Sequence, residues 1–180
     1  MFNENTAVMM SVNPPYSKMI LNGYKPFEFR NVVLRGMKEG YPLEDIKAYI
    51  YETKHKGGSG KVIGEVTVSG CYSLHYADHK FLDTELICLR NTFIKTLYLH
   101  WCELKDIRPN MNEGWFKSKR FWNYLKEIGY DSEDKQKWNY AMVLDDPKTY
   151  ETSKALSEFK TTKGTFLVRP PQNMFTVCAP

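Results

Sequence analysis

Two alternating segments on either side of a glycine-rich loop constrain this chain more than any other feature. In "IKAYIYETK", residues 46–54, Ile46, Ala48 and Ile50 alternate with Lys47, Tyr49 and Tyr51. "VIGEVTVSG", which starts at Val62, is β-branched and alternates as well. Between them stands "HKGGSGK". A two-residue period fits a pleated strand with two different faces, and a short glycine-rich connection lets two such strands fold back on each other. The pattern predicts a long β-hairpin with a mobile tip.

The flanking segments extend the sheet. "AVMMSV", residues 7–12, is a short apolar run that suits a buried strand. Asn13 is placed to cap a following helix, and Pro14 and Pro15 suit its first turn. "PYSKMILNG" predicts that helix, with Tyr16, Met19 and Ile20 on one face and Gly23 as a left-handed cap. "YKPFEFRN" alternates Phe27 and Phe29 with Glu28 and Arg30, which predicts a strand with one wet face.

Between residues 78 and 137 the period changes. Leu86, Leu89, Phe93, Leu97 and Trp101 form one helical stripe, and "GWFKSKRFWNYLKEIG" predicts a second helix between Gly114 and Gly129. Strand character returns at residues 138–144, "SKALSEF" predicts a short helix or turn, and "GTFLVRPPQNMFTV" closes the chain as an extended segment. Pro170 and Pro171 exclude a regular central strand there. A single domain over residues 1–180, with a mixed α/β (α+β) sheet and a helical insertion at about residues 78–137, is the expected organisation.

Composition narrows the function classes. The 180 residues carry a formal charge of +4, and residues 1–80 and 81–180 contribute equally, so there is no basic or acidic tail. A weakly basic chain permits a nucleic-acid partner without demanding one. The four cysteines, Cys71, Cys88, Cys102 and Cys178, form no C-x-x-C pair, which argues against a zinc ribbon and a thioredoxin-like centre. The spacing suggests no disulfide framework, and the N-terminus lacks the features of a signal peptide, so the expected setting is a reducing cytoplasm.

Several motifs have a mundane reading and a chemical one. "HKGGSGK" ends at Lys61 without the upstream glycine and the following Ser or Thr of a phosphate loop. Its cations, Lys54, His55, Lys56 and Lys61, can still meet a nucleic-acid backbone. His75 and His79 near Cys71 are too few for a metal centre, and no metal or other cofactor is expected. In "WFKSKRFWNYLK", Trp115, Phe116, Phe121, Trp122 and Tyr124 interleave with cations, as in a single-strand stacking face. The spacing of Phe121, Leu125 and Ile128 is also plain core spacing. Lys25, Glu28 and Arg30 are either a surface ion-pair set or a phosphate- or base-binding set.

Gly23-x-Lys25-x-x-Glu28-x-Arg30, after a strand and a proline-started helix, resembles the signature of the ASCH domain family. "AYIYETK" with "KVIGEVTV", "NYAMVLDDPKTYETSKALSEF" and "RPPQNMFTV" resemble the family's later pieces in order. The resemblance implies a PUA-like small β-barrel with flanking helices and a cleft lined by this motif. It implies RNA, a nucleotide or a modified nucleoside as ligand, held by Lys25, Glu28 and Arg30 with Arg169 and Gln172 nearby. Some members of the superfamily hydrolyse the amide of acetylated cytidine with a threonine three residues after the motif lysine. Here that position is Glu28. A hydrolase of this kind would use Glu28 as general base, Lys25 as electrostatic support and Glu65 as the later-strand glutamate. A third expectation is a protein-interaction module built on the aromatic helical insertion. No membrane partner is expected.

Overall fold

The computed structural model describes residues 5–37, 45–74, 84–111, 118–130 and 138–179, with the backbone alone for 84–92. Among the described residues, six strands and three α-helices follow one another as β1 (Thr6–Val12), α1 (Tyr16–Leu21), β2 (Phe27–Arg30), β3 (Ile46–Glu52), β4 (Lys61–Ser73), α2 (Thr84–Leu104), α3 (Lys119–Glu127), β5 (Tyr140–Lys154) and β6 (Met174–Cys178). The strands form one sheet in the order β2-β5-β4-β3-β1-β6. β1 and β3 run parallel and every other pair is antiparallel.

The expected hairpin is β3–β4, with Ile46 opposite Val68 and Glu52 opposite Lys61. Among the described residues the expected barrel does not close: the hydrogen-bonded ladder starts at β2 and ends at β6. β5 is twice as long as the sequence suggests, because its polar second half has no apolar period to reveal it. That half is held by the ladder to β4, where Gly64 faces Thr149 and Glu65 faces Lys148. Pro147 lacks an N–H for the ladder and falls where the register shifts between Glu65 and Thr67, next to Asp146 at φ +49°.

Three apolar clusters explain the sheet's sequence. Val8, Met10 and Val12 point with Ile46, Ala48, Ile50, Val66 and Val68 into one core, which α1 covers with Ile20 and Leu21. Ala7 and Met9 point the other way, against Tyr49, Tyr51, Phe159 and Val177. The expected buried strand is β1, and its continuous apolar run serves both faces. The third core joins Phe27 and Phe29 of β2 to Phe93, Leu97 and Trp101 of α2, to Phe121 and Leu125 of α3 and to Ile128 at its C-terminal cap.

α1 ends at a left-handed Gly23, φ +76°, as expected. The expected Asn13 cap is absent. The Asn13 side chain instead accepts a 2.5 Å hydrogen bond from the Thr53 hydroxyl, which joins the end of β1 to the end of β3.

The hairpin tip is tied down rather than mobile. Glu52 is buried; its carboxylate accepts from the Ser17 hydroxyl at 2.8 Å and from the Ser59 amide at 2.8 Å. The Gly60 amide donates to the Glu52 carbonyl at 3.1 Å. Gly58 sits so close that an added Cβ would lie 1.9 Å from the Thr53 carbonyl oxygen and 2.9 Å from Pro14 Cγ. Gly58→Ala is therefore expected to cost about 1–3 kcal/mol, a fall in melting temperature on the order of 2–10 °C. Thermal denaturation followed by circular dichroism reads this directly; an unchanged midpoint would mean that the tip is loose.

Candidate functional site

The turn at Gly23 sends the chain into β2 with Lys25 facing inward. Strand alternation then sorts the next residues. Phe27 and Phe29 enter the core under α2 and α3, and Glu28 and Arg30 face the other side. That side is not wet, contrary to the sequence expectation. Lys25 is 2% exposed and Glu28 7% exposed, and the Arg30 side chain is mostly buried.

The three charges form one network. Lys25 Nζ lies 3.2 Å from Glu28 Oε2 and donates to the Phe27 carbonyl at 2.5 Å. It also sits 4.3 Å from the Phe29 ring centroid and 5.5 Å from that of Tyr16, within cation–π range. The other carboxylate oxygen, Oε1, takes Arg30 Nη2 at 2.9 Å. Arg30 then reaches across the opening of the sheet: Nη2 donates to the Ser11 carbonyl and Nη1 to Asn173 Oδ1, both at 2.6 Å. Asn173 Nδ2 donates back to the Val32 carbonyl at 2.8 Å, so the amide is held at both ends. Arg30 Nε is buried and makes no hydrogen bond among the described residues.

Two cations share one carboxylate, so the network keeps a net positive charge away from water. Burial pushes the Lys25 ammonium below its ordinary pKa; Glu28 opposes that shift and Arg30 adds to it. Such an arrangement is complementary to an anion or to the acceptor edge of a base. It is poorly suited to proton abstraction by Glu28, because both of its oxygens are already engaged by cations.

The helices hold the loop that delivers Lys25. His100 Nε2 of α2 is 3.0 Å from the Gly23 carbonyl, and the Tyr124 hydroxyl of α3 donates to the Tyr24 carbonyl at 3.0 Å. The Tyr24 hydroxyl donates to Glu127 at 2.8 Å.

Of the residues expected at the site, Lys25, Glu28 and Arg30 come together. Glu65 does not join them. It lies on the opposite face of β4, accepts from the Tyr150 hydroxyl at 2.6 Å, and is 3.7 Å from Lys47 Nζ. Arg169 and Gln172 are exposed in the segment before β6. Asn173, one residue on, is the amide that meets Arg30. The sequence offered the right chemistry one position early, because a proline-rich approach gives no period to tell which of two adjacent amides turns inward. Ser11 contributes a backbone carbonyl, for which side-chain identity carries no signal.

Among the cysteines, Cys71 is buried and its thiol is pushed up to about 12 by desolvation, so it is no ready nucleophile. Phe121 and Tyr124 are buried. His75, His79, Trp115 and Phe116 lie outside the described residues.

Two outcomes follow. Arg30→Ala leaves Glu28 with one cation and frees the Ser11 and Asn173 acceptors, so a loss of about 3–5 kcal/mol in chemical denaturation is expected; a loss under about 1 kcal/mol would mean that the clamp contributes little. Lys25 has a depressed pKa when folded, so the unfolded chain binds more protons between that value and the ordinary lysine pKa, and stability rises with pH through this window. Relative to Lys25→Met, the native protein should therefore gain stability as the pH rises toward the ordinary lysine pKa of about 10, as read by urea denaturation.

The sequence matches no protein-family model and no curated protein. Among solved structures, it resembles the ASCH protein of Zymomonas mobilis, at 17% identity and a TM-score of 0.45, over 94% of this chain and 85% of that one. A single-residue variant of the same protein matches at 16% identity and a TM-score of 0.46, over 94% of this chain and 88% of that one. A second variant matches at 16% and 0.46, over 97% and 89%.

Proposed function

We propose that the chain binds RNA, or a nucleotide or modified nucleoside, at the Lys25–Glu28–Arg30 network, in the manner that its ASCH-type motif implies. The observation that supports this most is the buried cation excess: Lys25 and Arg30 share one carboxylate, and Arg30 keeps an unused buried donor at Nε. Arg30 and the half-buried Asn173 form the outer rim, where a phosphate or base edge meets a planar guanidinium and an amide. Lys25 lies behind them and sets the positive potential.

Hydrolysis is the second reading, and the structure shifts its chemistry. Glu28 is pinned between cations and accepts a proton poorly, so what the site offers a developing oxyanion is the charge of Lys25. Any turnover should then vanish in Lys25→Met. The interaction-module reading has less support, since Phe121 and Tyr124 of α3 are used in the core.

The test is a titration of fluorescent single-stranded RNA and matched DNA at low and moderate salt. Arg30→Lys keeps the charge and loses the fork, and Lys25→Met keeps the volume and loses the charge. Binding that weakens with salt and falls at least about tenfold in both variants, with each variant still folded by circular dichroism at the assay temperature, is the expected result. Wild-type protein that binds neither polymer nor a free nucleoside would overturn the reading.

A further inference from the structure

We infer that the β3–β4 hairpin tip is a fixed phosphate-backbone contact, so that the ligand of the Arg30 network is a single-stranded oligonucleotide rather than a free nucleotide. This rests on the reading just given and narrows its ligand class.

Lys54, His55, Lys56 and Lys61 are all exposed at the tip. No aspartate or glutamate stands between Glu52 and Glu65 in the sequence. Glu52 is turned inward, where Ser17 and Ser59 occupy its carboxylate, so it does not neutralise the tip. Basic loops are usually solvated and mobile, and then lose ordering entropy when they bind. This one has already lost it. The Gly58 amide donates to the His55 carbonyl at 3.2 Å, Gly60 closes onto Glu52, and the Lys54 stem lies across Gly60. Lys56 is held in the left-handed region at φ +52°.

The tip is also near the network. The Ser11 carbonyl accepts from Arg30, and three residues later Pro14 lies against Gly58. Between them, Asn13 is bonded to Thr53, the residue before Lys54. Three residues span at most about 10 Å. A single nucleotide places its phosphate at one site or the other. A single strand, at about 3.4 Å per phosphate when stacked, covers the gap with about three nucleotides. The cations at the tip make no base-reading geometry, so they add affinity and salt dependence without sequence preference.

The test compares the native chain with a triple variant, Lys54→Gln, Lys56→Asn and Lys61→Gln. Asparagine is chosen at position 56 because it tolerates the left-handed backbone. Each protein is titrated with oligoribonucleotides from one to about eight nucleotides over a range of salt, with melting temperatures as a folding check, and Lys25→Met is run beside them. Native affinity should climb steeply up to about four nucleotides, and the variant should lose that climb. Its log–log salt slope should fall by up to about 2, since each single-strand phosphate contact contributes about 0.7. A triple variant with the native length dependence and slope would overturn the tip contact, and leaves the Arg30 network standing if Lys25→Met still loses binding. Loss of the climb in the triple variant with full binding by Lys25→Met would keep the tip contact and sink the reading of the network. Native protein that shows no binding at any length would overturn both.

Discussion

Arg30 joins two ends of a sheet that backbone hydrogen bonds leave apart. The ladder runs from β2 to β6 without closing, yet the Arg30 guanidinium on β2 reaches the Ser11 carbonyl on β1 and the Asn173 amide just before β6. The Ser11 amide donates to the Asn173 carbonyl at 3.0 Å, and Asn173 returns to the strand side through Val32. A side-chain clasp therefore does what a sixth ladder contact does in a closed barrel. It works only if the guanidinium is held still and neutralised. Glu28, two residues earlier on the same strand face, meets that requirement through a charge-assisted bond. The residues that close the fold are thus the residues that form the candidate site.

The helical layer makes this possible from the other side of the strand. Phe27 meets Phe93 edge-on at 5.0 Å, and Phe29 packs on Phe93 and Tyr130. With four residues, β2 is too short to be fixed by its one ladder with β5. Aromatic contacts from α2 and bonds from His100 and Tyr124 fix both the strand and the loop before it. The helices between β4 and β5 thus set the position of Lys25 and of β2.

Much of this was legible where a period exists. The β3–β4 hairpin, the buried β1, the Gly23 cap and the core stripe Phe93, Leu97 and Trp101 all follow from spacing and burial chemistry. The open ladder was not legible, since no local pattern states whether the last strand meets the first. The wet face predicted for β2 failed for a related reason. Alternation reports two different environments, and a charged environment reads the same whether it is solvent or a buried ion network. The tip was misread because glycines signal freedom, whereas Gly58 is there for close approach to Thr53. Glu65 illustrates the opposite limit: its charge and strand suited a catalytic role, but one pleat of register put it on the other face with Tyr150.

The network holds one charge more than the fold requires. Arg30 and Glu28 alone would clasp the sheet as a neutral pair. Among the described residues the Lys25 side chain makes no hydrogen bond across the opening; its partners are the Phe27 carbonyl and Glu28, two and three residues away along its own segment. Burying an ammonium beside a guanidinium works against folding, as the downward pull on its pKa shows. A leucine or methionine at this position would fill the same space between the Tyr16 and Phe29 rings without that cost. The clasp explains Arg30, Glu28 and Asn173 as structure. Lys25 is the member that structure alone leaves unexplained, and its one evident consequence is a positive potential behind the guanidinium, where an anionic ligand would use it.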